Sequence, residues 1–349
     1  MYPLSRFTLI CCLLFAFAGP RVSVARGKKK DKQKEKDVRM AKQRAAQFDP
    51  KKLQKLEQGE LDAVTEKGLL KNKTEIDALI KRCDEGMKII DKRIRETEDF
   101  GKEGGYTKED IRILNWSWAQ VKACLEAVKA GKPLSETEPA CVARRNGAMY
   151  SGSIGRFKGK AIHAVEIMRE IGLKDTANGK RWSELWGHMF RTVKPLGKHE
   201  SGDPIVSVNV ILAVNKIGII YKQVLNVRTI EQYSEYDLGN GCYVIMQNMV
   251  CDGSAGRKPQ GYKRKGEKEY YPVVEQLSMT VIRDNKDGTF TLGNFMSTKA
   301  QPLKTVTGWF MKVIGGMLDL KKMTEKDTKK NRVKWNDLFQ KAVQDKAKQ

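Results

Sequence analysis

Between Pro204 and Met296 the chain strings together PIVSVNVILAV, KIGIIYKQVL, GCYVIMQNMVC, YYPVVEQLSMTVI and GTFTLGNFM, short runs rich in β-branched and aromatic residues and bounded by turn formers. Each is of strand length. Asn240-Gly241 and Asp287-Gly288 mark the two clearest connections, and such dipeptides supply the positive φ that a tight hairpin needs. Consecutive strands joined this way pair antiparallel, so the region is expected to form an antiparallel meander.

The segment after the meander limits how it can close. In TVTGWFMKVIGGML, Thr305 to Leu318, the residues Val306, Trp309, Phe310, Val313, Ile314, Met317 and Leu318 follow the i, i+3, i+4, i+7 stripe of an amphipathic helix. The stretch is too short to cross a hydrocarbon core, which takes about 20 apolar residues. WNDLFQKAV continues the helical spacing through Trp335, Leu338, Phe339 and Ala342. A twisted sheet followed by one long amphipathic helix buries both apolar surfaces most simply by curling around that helix. The expected class is α+β: a curled antiparallel sheet around a long C-terminal amphipathic helix, preceded by an N-terminal helical region.

The N-terminal half carries a different periodicity. Ile76, Leu79, Ile80, Cys83, Met87, Ile90 and Ile94 form one helical stripe, and Ile111, Leu114, Trp118, Val121, Leu125 and Val128 another, which predicts two antiparallel helices. The segment AGKPLSETEPACVARRNGAMYSGSIGR, residues 130–156, is rich in Gly, Pro and Ser and reads as a linker. FKGKAIHAVEIMREIGL and GKRWSELWGHMFRTV read as further helical pieces.

The first residues set an expected route. Arg6, the apolar run from Phe7 to Ala18, and the small residues Ser23 and Ala25 have the layout of a secretory signal peptide. The secretory pathway or secretion is therefore the expected localisation, with a plastid reached through that route as the alternative. The expected organisation is a signal peptide over 1–25, a basic flexible arm over 26–52, a helical region and linker over 53–150, and a domain over 151–349 able to fold from about Gly155 onward. Past the signal, Cys83, Cys124, Cys141, Cys242 and Cys251 leave two readings open: disulfides joining Cys124 to Cys141 and Cys242 to Cys251, or buried free thiols.

Charge and motifs narrow the chemistry. The 349 residues include 66 Lys+Arg against 42 Asp+Glu, a formal net charge of +24, which attracts anionic partners. The runs Lys28 to Lys36 and Lys321 to Arg332 lack interleaved stacking aromatics, so an anionic membrane surface is the expected partner and no nucleic acid is. The three histidines, His163, His188 and His199, are not spaced for a metal site or a triad, and no nucleotide-binding glycine motif occurs. Glu231, Glu235 and Asp237 are expected on a solvated strand face. The chain is expected to hold no metal, cofactor or catalytic residue.

The residues KIGIIYKQVLNVR, the Gly-x-Tyr-Val-Ile strand at Gly241 to Ile245, the Gly-Tyr-x-Arg turn at Gly261 to Arg264, and the helix opening near Trp309 together resemble the lipid-transfer START domains. The resemblance covers roughly Arg181 to Leu320, with Arg228-Thr229-Ile230 where the family has Arg-Asp-Phe. It implies a helix-grip fold, a tunnel for one phospholipid, sphingolipid or sterol, and no catalysis. Trp309, Phe310, Val313, Ile314 and Met317 would line that tunnel. Tyr221, Arg228, Tyr243, Ile245, Leu277 and Met279 would meet them from the strands, as would Ile219. The alternative reading is a non-catalytic interaction scaffold of the secretory pathway whose core is filled.

Overall fold

The computed structural model describes residues 75–96, 107–144, 147–174, 188–199, 201–217, 221–252, 273–300 and 320–349. The signal, the basic arm, Ile219 and the apolar stretch Thr305 to Leu318 lie outside the described residues. Eight strands form one antiparallel sheet: β1 (Thr137–Ala143), β2 (Ala148–Lys158), β3 (His188–Lys198), β4 (Pro204–Ile217), β5 (Tyr221–Asp237), β6 (Cys242–Asp252), β7 (Val273–Asp284) and β8 (Thr289–Ala300). The strand order is β1-β2-β8-β7-β6-β5-β4-β3. The described helices are α1 (Ile76–Glu96), α2 (Lys108–Lys129), α3 (Ala161–Leu173) and α4 (Leu320–Lys346). The class is α+β, a curled sheet gripping its long C-terminal helix.

Both faces of the sheet are covered, which explains why its strands read as near-continuous apolar runs and not as clean alternations. Successive side chains on a strand point to opposite faces. Along β6, Val244 and Met246 join α1 and α2 in one core, while Ile245 and Met249 join α3 and α4 in another. β7 divides likewise, with Leu277, Met279 and Val281 on the first side and Ile282 on the second. We call the α3/α4 side the inner face and the α1/α2 side the outer face.

On the outer face α1 and α2 run antiparallel, tied by Lys122 to Asp84 at 2.7 Å and Lys129 to Asp77 at 2.5 Å. α2 starts at a reciprocal cap in which the Thr107 hydroxyl accepts from the Asp110 amide and the Asp110 carboxylate accepts from the Thr107 amide. Its stripe is broader than the sequence suggests. Ile113, Ser117 and Cys124 are buried beside Leu114, Trp118, Val121 and Leu125, because the helix is sandwiched between α1 and the sheet.

Several expectations need correction. The stretch read as a linker forms β1 and most of β2, and β2 pairs along its whole length with β8. Its Gly152 is a strand position of close approach: a Cβ there would lie 2.6 Å from the Asn294 carbonyl oxygen and 2.7 Å from the Trp116 ring. The end of the piece read as helical from Gly179 to Val193 is instead β3, an edge strand that carries Pro195 where no ladder partner is lost. Cys83, Cys124, Cys141 and Cys242 are buried free thiols, so neither disulfide forms. The basic run Lys321 to Arg332 is helical, and its last residue is buried. The two hairpin turns match expectation, with Asn240 at φ 54°, Gly241 at φ 74° and Gly288 at φ 78°.

Candidate functional site on the inner face

The inner face is apolar at one end and polar toward the other. At the apolar end, rings from β2, β8 and α4 converge: Phe157 stacks on Phe290 at 5.5 Å, Phe339 meets both edge-on, and Trp335 stacks on Phe339 at 4.9 Å. Gln340 fixes the helix to β2 by accepting from the Lys158 amide at 2.7 Å and donating to its carbonyl at 2.9 Å.

Charge enters where α3 and β5 meet. Arg169 donates from Nε and Nη2 to the two oxygens of Glu235 at 2.7 and 2.8 Å, and the Tyr233 hydroxyl donates to the same carboxylate at 2.8 Å. The pair has side-chain exposures of 3% and 0%, and a buried fork of this kind is stable only with such saturated geometry. Burial, with the adjacent Glu235, pushes the Tyr233 hydroxyl well above its usual range.

Four residues further back on the same face of β5, Glu231 takes its hydrogen bonds, among the described residues, from neutral donors. Its Oε1 accepts from the Thr229 hydroxyl and from Gln276 Nε2 at 3.0 Å, and its Oε2 accepts from Gln247 Nε2 at 2.5 Å. Burial raises its carboxyl pKa, with the Thr229 hydroxyl, Arg191 and Gln247 pulling the other way. On α4, Arg332 donates to Asn294 Oδ1, to the Ser151 carbonyl at 3.2 Å and to Ser151 Oγ at 3.0 Å. Burial lowers the pKa of Arg332 to about 10. Asn294 in turn donates to Thr280 Oγ1 at 2.9 Å.

The polar groups of this face are buried and hydrogen-bonded to one another, toward the far end of the face from the aromatic wall. Among the described residues no group of three His, Cys, Asp or Glu could hold a metal ion.

The residues expected to line a tunnel do not all share this face. Ile245 is buried in the inner core and Tyr243 packs against it. Leu277 and Met279 belong instead to the outer core beneath α2. They alternate with Ser278 and Thr280, but alternation alone does not say which face the apolar set takes, and the register pairs Met279 with Met246, an outer-face residue. Arg228 alternates with Val227 and Thr229, so it too lies on the outer side, where its Nε donates to Ser207 Oγ at 3.0 Å. Tyr221 opens β5 opposite Ile217. Trp309, Phe310, Val313, Ile314 and Met317 fall outside the described residues.

The carboxylates expected to be solvated are the ones the fold buries, Glu231 at 1% and Glu235 at 0% exposure. The signal for such groups is a charged residue on an otherwise apolar stripe. Arg169 sits four residues after Val165, and Arg332 lies between Thr328 and Trp335 on the stripe that continues to Phe339.

No family model matches the chain, and no curated protein matches it. Solved structures that resemble it are mostly START-related lipid-transfer domains. Human STARD10 aligns over 60% of this chain and 75% of its own at 11% identity and a TM-score of 0.31. The STAR-related lipid transfer protein fragment from Xanthomonas axonopodis aligns over 60% and 99% at 10% identity and 0.33. Truncated norcoclaurine synthase from Thalictrum flavum aligns over 60% and 98% at 8% identity and 0.28. Likeness at those scores carries no argument about function, and only the chemistry of the inner face does.

Proposed function

We propose that the protein is a non-catalytic carrier that binds one amphipathic lipid, a phospholipid, sphingolipid or sterol, against the inner face and passes it between membranes of the secretory route. The observation that carries this reading is the division of one face between an aromatic wall at one end and, toward the other, Glu231, a buried carboxylate whose described hydrogen-bond donors are neutral. A lipid has the matching division, an apolar body and a hydrogen-bonding head. The START resemblance of the strand motifs supports the same reading, with Ile245 and Tyr243 meeting the apolar body.

Docking falls to the solvent side of α4. Lys326, Lys329, Lys330, Lys334 and Lys341 are exposed there, opposite the buried stripe of Thr328, Arg332, Trp335 and Phe339. Each well-placed lysine contributes about 1 kcal/mol at an anionic surface. The basic arm beyond Arg26 would add to the same attraction.

Lipid extraction and mass spectrometry of the purified full-length chain, together with uptake from vesicles containing phosphatidylserine, test the proposal. The expected result is one co-purified or transferred lipid per chain, with vesicle binding that weakens as salt screens charge over about 10 Å at 0.1 M ionic strength. Consistent absence of lipid in both assays would leave the second reading, a filled interaction scaffold. The packed rings of Phe157, Phe290, Phe339 and Trp335 favour that reading at their end of the face.

A further inference from the structure

A second cleft, of about 650 Å³, opens on the outer face where α2 ends. Its apolar floor includes Val128, Pro133 and Leu134, and its rim carries Arg156, Arg283 and Lys286 against Glu136 and Asp284. That volume lies within the range of about 300–1,000 Å³ typical of small-molecule sites.

The cations of the rim are not equivalent. Arg156 is engaged by Asp287, and Lys286 lies 3.7 Å from Asp284. Arg283 has no carboxylate within ion-pair distance among the described residues, and the bond it makes is to the Lys132 carbonyl in the connection after α2. A guanidinium has five N–H donors in a planar fork matched to carboxylate and phosphate oxygens. One is used here, and that contact holds the group at the cleft wall.

We propose that this cleft is a binding site for a small organic anion, a carboxylate or phosphate ester whose charged group is taken by the Arg283 fork and whose apolar body lies on Val128, Pro133 and Leu134. The partial negative charge at the C-terminal end of α2 opposes an anion there, as does the exposed carboxylate of Glu136. Arg283 and Lys286 outweigh them only for a ligand that also buries apolar surface, so a bare inorganic anion is a poor occupant. The site lies on the opposite side of the sheet from Glu231 and stands independently of the lipid reading.

Phenyl phosphate is a suitable probe, titrated calorimetrically into the full-length chain beside inorganic phosphate and phenol. The expected result is saturable 1:1 binding of phenyl phosphate, at least about tenfold tighter than either fragment. Arg283→Gln should weaken it about tenfold or more, the scale of a lost hydrogen bond to a charged group. Glu136→Lys, on an exposed residue that bears on no core, should tighten it, which keeps the test decisive if Arg283→Gln fails to fold. Lipid uptake should be unchanged in both variants. No saturable binding at millimolar probe, equal affinity for inorganic phosphate, or affinity unmoved by Glu136→Lys would each overturn the assignment.

Discussion

The two faces of the sheet are packed by different means. Outside, α1 and α2 cover Tyr236, Val244, Met246, Leu277, Met279, Val281 and Phe295 with apolar side chains. Buried polar contacts occur there too: Ser297 with Ser117 and Lys299 with Asp110 where α2 meets β8, and Ser234 of β5 with Asp203. Inside, α3 and α4 share their face with a forked ion pair and with Glu231, whose described hydrogen-bond donors are neutral. Hydrophobic packing alone would close either face. The inner one, like the outer, keeps buried polar groups whose desolvation is costly unless each finds a partner; what differs is that Glu231 meets neutral donors, where Glu235 meets Arg169 and Asp110 meets Lys299.

The largest test removes the outer layer. A fragment starting at Gly155 loses α1, α2, β1 and over half of β2, and bares the seven outer side chains named above. At about 1.5–3 kcal/mol for each buried apolar side chain, the loss of about 10–20 kcal/mol matches or exceeds the 5–15 kcal/mol of net stability typical of a domain. The fragment is expected to show no cooperative thermal transition by circular dichroism. A sharp melt would mean that the outer helices are an appendage and that the contrast between the faces is overstated.

Next comes the ion pair. Glu235→Ala leaves the Arg169 guanidinium buried without its carboxylate and is expected to cost about 3–5 kcal/mol in urea denaturation. The double variant Arg169→Met, Glu235→Leu should cost less than that single change, because two shape-filling apolar groups leave no charge stranded. If the double variant is the worse of the two, the pair contributes more than it costs to desolvate.

A smaller effect compares the faces directly, since each has a helix glycine that receives a ring. A Cβ on Gly86 of α1 would lie 2.5 Å from the Trp118 ring, and one on Gly172 of α3 would fall closer still to the Tyr233 ring. Alanine at either site is expected to destabilise by about 1–3 kcal/mol through overpacking, against about 1 kcal/mol gained in helix propensity. Gly172→Ala should cost more. Tyr233 is held by its hydroxyl on Glu235 and cannot yield, whereas Trp118 lies among apolar neighbours that can shift.

Much of this architecture is legible in the residues, and the failures share a cause. The helical stripes of α1, α2 and α3, the meander and its Asn-Gly and Asp-Gly turns follow from local periodicity and turn chemistry. β1 and β2 do not. The pairing of β2 with β8 joins residues about 140 apart, as in Tyr150 with Ser297, β1 is carried on the other edge of β2, and Gly152 makes sense only against β8 and Trp116. Strand parity is equally hidden, because in a sheet covered on both faces an alternating run such as Leu277-Ser278-Met279-Thr280-Val281 does not say which helices take its apolar set. For that reason Leu277 and Met279 read as inward-facing, and Glu231 and Glu235 as solvated.

The finest test concerns the isolated carboxylate, and it works through pH. Burial raises the Glu231 pKa in the folded chain above its ordinary carboxylate value, so the folded state holds this proton more tightly than the unfolded state. Its contribution to stability is therefore fully present below the unfolded pKa and is lost as pH rises through the folded one, with a limiting slope of about 1.4 kcal/mol per pH unit for one proton. Glu231→Gln keeps the shape, removes the titration, and leaves the other ionisable groups, Glu235 and Arg191 among them, the same in both chains. At acid pH the variant should be the less stable, because the amide presents N–H to Gln247 and Gln276, which already donate into this site. As pH rises toward neutral the difference should shrink or reverse, since only the parent then holds a buried charge whose desolvation outweighs what its donors and Arg191 return. Urea denaturation of both chains at intervals from pH 4 to 8 reads that difference directly. A gap that stays constant across the range would mean that Glu231 titrates as an ordinary surface carboxylate, and the inner face would lose the feature that sets it apart from the outer one.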